Sequence, residues 1–149
     1  MNSSIVFDAS EPNIKESEFN QCEWKDFYPE AEERLPPNMP VPRGQDVTIT
    51  CYVDADHANN LLTRRSHTGI VIFINSSPIS WYSKRQNTVE SSTFGSEFNA
   101  LRIAVDQIEA LRYKLRMFGV SIERESNIYC DNQTVVKNTS LPESTLQKT

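Results

Sequence analysis

Nowhere in the 149 residues do apolar side chains run for the roughly 18 positions that a membrane-spanning helix needs. The first eight residues, Met1 to Asp8, carry neither a basic start nor a long apolar stretch, which excludes the pattern of a secretory signal peptide. Only three cysteines occur, Cys22, Cys51 and Cys130, and no C-x-x-C spacing joins them. An odd count without that spacing points neither to a disulfide framework nor to a zinc site. Reduced thiols in an intracellular protein are the simplest expectation. Four N-x-S/T sequons, at Asn2, Asn75, Asn132 and Asn138, then read as chance occurrences. Histidine is equally scarce. His57 and His67 stand alone in sequence, and a hydrogen bond within a loop is the expected role of each. Internal repeats are absent.

The net charge of −5 is unevenly placed. Residues 1–45 hold nine acids against four bases, which leaves eleven of each for residues 46–149. The first stretch also holds six of the eight prolines, including Pro36-Pro37 and Pro40-Val41-Pro42. It reads as an acidic connector. Between Glu16 and Arg34 it could form one short helix, with Phe19, Trp24, Phe27 and Tyr28 among the charges, but it cannot build a core alone. Residues 46–149 read as the folded domain. Overall acidity does not exclude a nucleic-acid partner, because a phosphate backbone needs only a local basic cluster.

From Asp46 the pattern changes. Val47 to Asp54 alternates with period two, with Val47, Ile49, Cys51 and Val53 on one face and Thr48, Thr50, Tyr52 and Asp54 on the other. Gly69 to Asn75 predicts a second strand, and its near-continuous apolar run predicts burial on both faces. Ser76-Ser77-Pro78 predicts a turn, and Ile79 to Lys84 a third strand pairing as a hairpin with the second. A long helix is expected from Thr93 to Phe118, capped by Ser91, Ser92 or Thr93 and stopped by Gly119. Leu101, Ala104, Ile108, Leu111, Leu115 and Phe118 make one stripe on it. Four residues before Leu101 the stripe meets Glu97, a costly place for an unpaired charge. Asn127 to Asp131 predicts a fourth strand, Asn132 to Lys137 the start of a helix, and residues 138–149 a loop. The order is β-β-β-α-β, an α/β fold. A helical crossover implies that strand four lies parallel to strand one.

Asp54 and Asp131 then close two neighbouring parallel strands, at the edge where open α/β sheets hold ligands. Glu97 approaches from the first turns of the helix. A strand-ending Asp is commonly a turn former, so each acid alone says little. Three acids converging without a His or Cys cluster suit a hard cation, Mg²⁺ or Mn²⁺.

Five ordered segments carry a resemblance. Tyr52-Val-Asp-Ala-Asp-His-Ala58 resembles Y-x-D-A-D-x-A, and Thr63-Arg-Arg-Ser-His-Thr-Gly69 resembles T-R-R-S-x-x-G. Ile79-Ser-Trp-Tyr-Ser-Lys-Arg-Gln86 is similar to I-x-W-x-S-K-x-Q. Ser91-Ser-Thr-Phe-Gly-Ser-Glu-Phe98 resembles S-S-T-x-A-E-Y, with one residue more between Thr93 and Glu97 and with Gly95 and Phe98 as variants, and Tyr129-Cys-Asp-Asn132 matches Y-x-D-N. Together they resemble the RNase H domain of copia-type LTR retrotransposon polyproteins, over about residues 47–148. Residues 1–45 resemble the junction between reverse transcriptase and that domain.

The resemblance implies an RNase H-like mixed sheet, antiparallel over strands 1–3 with strand 4 parallel to strand 1. It implies Asp54, Glu97 and Asp131 as catalytic and metal-binding carboxylates for two Mg²⁺ or Mn²⁺ ions. Asp56 is a competitor for the role of Asp54. The implied substrate is the RNA strand of an RNA–DNA hybrid, the implied neighbour the reverse transcriptase portion of the same polyprotein, and the implied location cytoplasmic, in a virus-like particle, with no membrane. Arg64, Arg65, Ser66, Lys84, Arg85, Gln86 and Asn132 are the candidate substrate contacts; for each of the cations a solvated surface role is the competing account. The family's fourth acid, final strand and final helix have no counterpart before Thr149, so a truncated and inactive remnant is one alternative. An integrase- or transposase-like core is another, opposed by the position of Glu97 in the first crossover helix. A non-catalytic interaction module rests on the acidic connector alone.

Overall fold

The computed structural model describes residues 25, 28–58, 62–122 and 124–140. The expected helix between Glu16 and Arg34 lies largely outside them, as do residues 141–149. The described elements are β1 (Ile49–Asp56), β2 (His67–Ile74), β3 (Ser77–Arg85), α1 (Thr93–Met117), β4 (Asn127–Cys130) and α2 (Gln133–Ser140). They form an α/β fold around one mixed sheet of order β3-β2-β1-β4. β1 pairs antiparallel with β2, β2 antiparallel with β3, and β1 parallel with β4.

The alternation in β1 places Ile49, Cys51, Val53 and Ala55 in the core. α1 lies over that face. Ala100 and Ala104, both fully buried, let its backbone approach the sheet, and Ile108 extends the contact. The helix begins at Ser92, whose Oγ accepts a hydrogen bond from the Gly95 N–H at 3.1 Å. It ends in a Schellman turn. The Gly119 N–H donates to the Arg116 carbonyl and the Val120 N–H to the Leu115 carbonyl, with Gly119 at φ +74°. A side chain at Gly119 would be strained in that conformation.

Three expectations need correction. β2 is buried on one face only: Thr68, Ile70, Ile72 and Ile74 are inside, whereas Val71 is 37 % exposed. The helix covers just one side of the sheet, so a continuous apolar run does not here mean two covered faces. Phe118 is 80 % exposed and lies past the last helical residue, so it leaves the stripe. The hairpin turn is Asn75-Ser76, with Asn75 at φ +53°, and Ser77 and Pro78 belong to β3. Pro78 is tolerated because β3 is an edge strand of this sheet and pairs with β2 alone among the described residues. Thr48 and Asn75 lock that turn to the approach of β1: the Asn75 N–H donates to the Thr48 carbonyl, and the Thr48 N–H to Asn75 Oδ1.

The chain before β1 is laid along the far end of α1. Glu33 accepts hydrogen bonds from both Arg112 and Arg116. Arg43 bridges Val120 in a parallel pairing, Val47 bonds to the Ser121 carbonyl, and Pro40 rests against Gly119. Among the described residues no helix is long and apolar enough to cross a membrane.

Candidate metal centre

The parallel pairing of β1 with β4 sets the site. Tyr52 lies beside Tyr129 and Val53 beside Cys130, so one step further along the register brings Asp54 next to Asp131. Both acids are exposed. Tyr52 and Tyr129 stack at 5.4 Å between ring centroids, and Phe73 meets the Tyr52 ring edge-on. These rings are on the sheet face away from α1. A groove of about 680 Å³ opens there, lined among others by Tyr52, Asp54, Val71, Trp81, Tyr129 and Asp131. Trp81 is 73 % exposed, while its neighbour Tyr82 packs toward the core.

Glu97 comes from the other layer. Its place on the buried stripe of α1 leaves it 5 % exposed, at the start of the helix and close to the end of β1. Burial pushes its carboxyl up to about 7, the negative charges of Asp54 and Asp131 add to the rise, and a hydrogen bond from the Ala55 backbone opposes it. One oxygen, Oε2, is buried without any hydrogen-bond partner. An orphaned buried carboxylate oxygen is costly unless something positive meets it.

The residues that come together are not quite those the motifs suggest. Ligand atoms of Glu97, Cys130 and Asp131 all lie within 4.8 Å of one another. Asp54 is outside that set, although its charge is felt at both Glu97 and Cys130. Cys130 is the residue that sequence reasoning passed over. Strand parity turns it toward the core, and that is the side from which Glu97 arrives. Its thiol is raised by burial, with Glu97, Asp131 and Asp54 adding to the effect and the Asn132 backbone opposing it.

The polar frame around the site is built by the motif residues. Ser66 is fully buried; its Oγ accepts from the Ala58 N–H and its carbonyl from the Gln86 N–H. Gln86 is 3 % exposed and donates through Nε2 to Thr68 Oγ1 and to the Ser96 carbonyl. These two side chains tie the loop before β2 to the end of β3 and the start of α1, which leaves them little surface to offer a phosphate. Asn132 caps α2: its Oδ1 accepts from the N–H groups of Thr134 and Val135. His57 Nδ1 lies 3.2 Å from Ser96 Oγ, a loop-to-helix contact one residue from Glu97. Asp56 is exposed on the face of Asp54 and pairs in register with His67.

The cations have a different placement. Lys84 and Arg85 are exposed at the end of β3, with Lys84 Nζ 5.5 Å from the Tyr82 ring centre. Arg64 is exposed and Arg65 half-buried, just ahead of β2. Because β2 runs antiparallel to both neighbours, its start and the ends of β1 and β3 share one sheet edge. The four cations therefore stand at the edge where Asp54 and Asp131 emerge.

Relatives of known type exist. A stretch of 90 residues, 60 % of this chain, is 29 % identical to the retrovirus-related Pol polyprotein from transposon RE1 of Arabidopsis thaliana, of which it makes up 6 %. A stretch of 93 residues, 62 % of the chain, is 32 % identical to the retrovirus-related Pol polyprotein from transposon TNT 1-94 of Nicotiana tabacum, of which it makes up 7 %. A third similarity, 37 % identical over 74 residues, covers 50 % of this chain and 52 % of the secreted RxLR effector protein 161 of Plasmopara viticola. No family model and no solved structure matches. The aligned stretch is thus a small fraction of the polyproteins' own length, and over it the chain is similar to a segment of retrovirus-related Pol polyproteins from transposons.

Proposed function

We propose that this chain carries an RNase H-type site that hydrolyses the RNA strand of RNA–DNA hybrids during retrotransposon reverse transcription. The observation that carries this reading is Glu97: a buried carboxylate with one orphaned oxygen, meeting Asp131 just past β4 and within the field of Asp54, which does not close β1 as expected but lies two residues before its end at Asp56. A hard-oxygen donor set of this kind fits Mg²⁺ or Mn²⁺. Asp54, Glu97 and Asp131 would hold the ions. Two bound ions supply an activated water and a stabilised leaving oxygen in phosphodiester hydrolysis.

The rest follows from the chain's own residues. Arg64, Arg65, Lys84 and Arg85 stand at the same sheet edge and would neutralise backbone phosphates without reading bases. Contacts to 2′-hydroxyls would separate RNA from DNA. The helix start that carries Glu97 is tied to the end of β3 by the Gln86 Nε2 bond to the Ser96 carbonyl, which would place the carboxylate before any ion arrives. The partner within the polyprotein would be its reverse transcriptase portion, and the place of action a cytoplasmic virus-like particle.

The test is a labelled RNA–DNA hybrid incubated with the chain and Mn²⁺, beside Asp54→Asn. Cleavage of the RNA strand that is abolished by the substitution is expected. Cleavage that survives it sinks the site assignment. Absence of cleavage by the unaltered chain, with Mn²⁺ still bound, favours instead an inactive domain of the same fold.

A further inference from the structure

The hard-cation reading leaves one ligand atom unused. Cys130 Sγ lies in the same 4.8 Å set as oxygens of Glu97 and Asp131. We propose that Glu97, Cys130 and Asp131 form a site for a thiophilic divalent cation of the Zn²⁺ or Cd²⁺ class, which competes with the hard ions for the two shared carboxylates. The inference rests on the carboxylate site above and adds to it a regulating ligand.

The geometry carries it in two ways. Three ligand atoms on one tetrahedral ion are spaced roughly 3–4 Å apart, given metal–ligand distances of about 2.0–2.3 Å. The observed atoms all lie within 4.8 Å of one another, about 1 Å beyond the wide end of that spacing, so the side chains would have to draw together on binding. The second observation is independent of the clustering. Glu97 is 5 % exposed, and its Oε2 is buried with no hydrogen-bond partner. A polar atom so placed is complete only when it meets a cation or a donor.

The chemistry separates this site from the carboxylate one. Mg²⁺ and Mn²⁺ prefer oxygen and would leave the thiol aside, whereas Zn²⁺ and Cd²⁺ gain most from thiolate. On binding, the sulfur–metal bond forms and the thiol proton passes to solvent. Cys130 is the last residue of β4 and Asp131 the first beyond it, and an ion between Cys130 and Glu97 draws on the core side of the sheet. Occupancy there takes Glu97 and Asp131 away from ions shared with Asp54, so a thiophilic ion acts as an inhibitor of the proposed reaction.

The experiment uses Cd²⁺ and reads binding, not turnover. The full chain carrying Cys22→Ser is titrated with Cd²⁺ while the ultraviolet thiolate-to-metal charge-transfer band is recorded. Cys51 remains as an internal control, being fully buried with its Sγ directed at the Tyr52 carbonyl. The expected result is a band that saturates at one ion per chain and is absent in Cys130→Ser. Loss of an outer-shell partner alone weakens metal binding by roughly 10–100-fold, so loss of this ligand should weaken Cd²⁺ by about tenfold or more. Mn²⁺ affinity, followed by electron paramagnetic resonance, should change little. Glu97→Gln keeps the thiol and is expected to weaken Cd²⁺ as well, which guards against a folding defect specific to Cys130→Ser. A band that persists in Cys130→Ser overturns the proposal, and so does absence of any band in a chain that binds Mn²⁺. A band without Mn²⁺ binding upholds the thiolate site and removes the hard-ion reading instead.

Discussion

Glu33 reaches across about eighty residues of sequence to hold the end of α1, and its loss has a cost that the structure allows to be worked out. Arg112 donates to it through Nε at 2.9 Å and Nη2 at 2.7 Å, a two-pronged pair, and Arg116 adds two more contacts. The guanidinium of Arg112 is the largest cause holding the Glu33 carboxyl well down, at about 2 instead of 4.5; Arg116 assists and partial burial opposes. That difference converts at about 1.4 kcal/mol per pH unit to a ceiling of roughly 3 kcal/mol. About a third of the side chain is open to water (35 %), so solvent screening reduces the figure to about 1–2 kcal/mol. Neither arginine is orphaned by the change, because Arg116 keeps the Ile122 carbonyl and Arg112 keeps the Arg124 carbonyl and Ser126 Oγ.

Glu33→Gln is therefore expected to lower unfolding free energy by about 1–2 kcal/mol near neutral pH, measured by urea titration with an unchanged m-value. The pH dependence has a definite sign. The folded carboxyl binds its proton less readily than the unfolded one, so its contribution is complete above about 4.5 and is lost as pH falls through about 2. The gap between the unaltered chain and Glu33→Gln should close across that window. A gap under about 0.3 kcal/mol near neutrality, or one that persists unchanged down to about pH 2, would refute the ion-pair account.

Two further substitutions bear on the site. Asn132→Ala removes the cap of α2 and should cost about 1 kcal/mol in urea unfolding, while Asn132→Asp should stay near the original; equal losses in both would show that the amide group, not the capping oxygen, is what matters. Glu97→Gln, studied with a chelator present, should raise stability by about 1–3 kcal/mol, because a buried carboxylate with an orphaned oxygen gives way to a neutral group of the same shape. Adding Mn²⁺ should stabilise the unaltered chain and leave the variant unmoved; a variant less stable than the original in chelator would show that the carboxylate already has a partner.

The parts of this molecule that could be read from sequence are those governed by a period. Alternation along β1 separates Cys51 and Val53, which are inside, from Tyr52 and Asp54, which are exposed, and the three-and-four spacing of α1 carries Glu97 into the interior. Period says which side chains share a face but not what covers it. For that reason β2, apolar nearly throughout, was readable as a strand while its exposed Val71 was not. The Glu33 clamp was illegible for a related reason: nothing local marks which of nine acids in the first 45 residues will find Arg112 and Arg116. Cys130 shows the limit most sharply. Parity assigns it to the core, and a buried cysteine is ordinarily just a small apolar side chain. Only when the layers are assembled does Glu97 come down from α1 onto the same spot, and the ordinary core position becomes a place where sulfur and two carboxylates meet. The one signal already present in the sequence was the charge at the head of an apolar stripe. A local rule broken at that point, with no partner nearby in the chain to explain it, is where a functional site is expected to be.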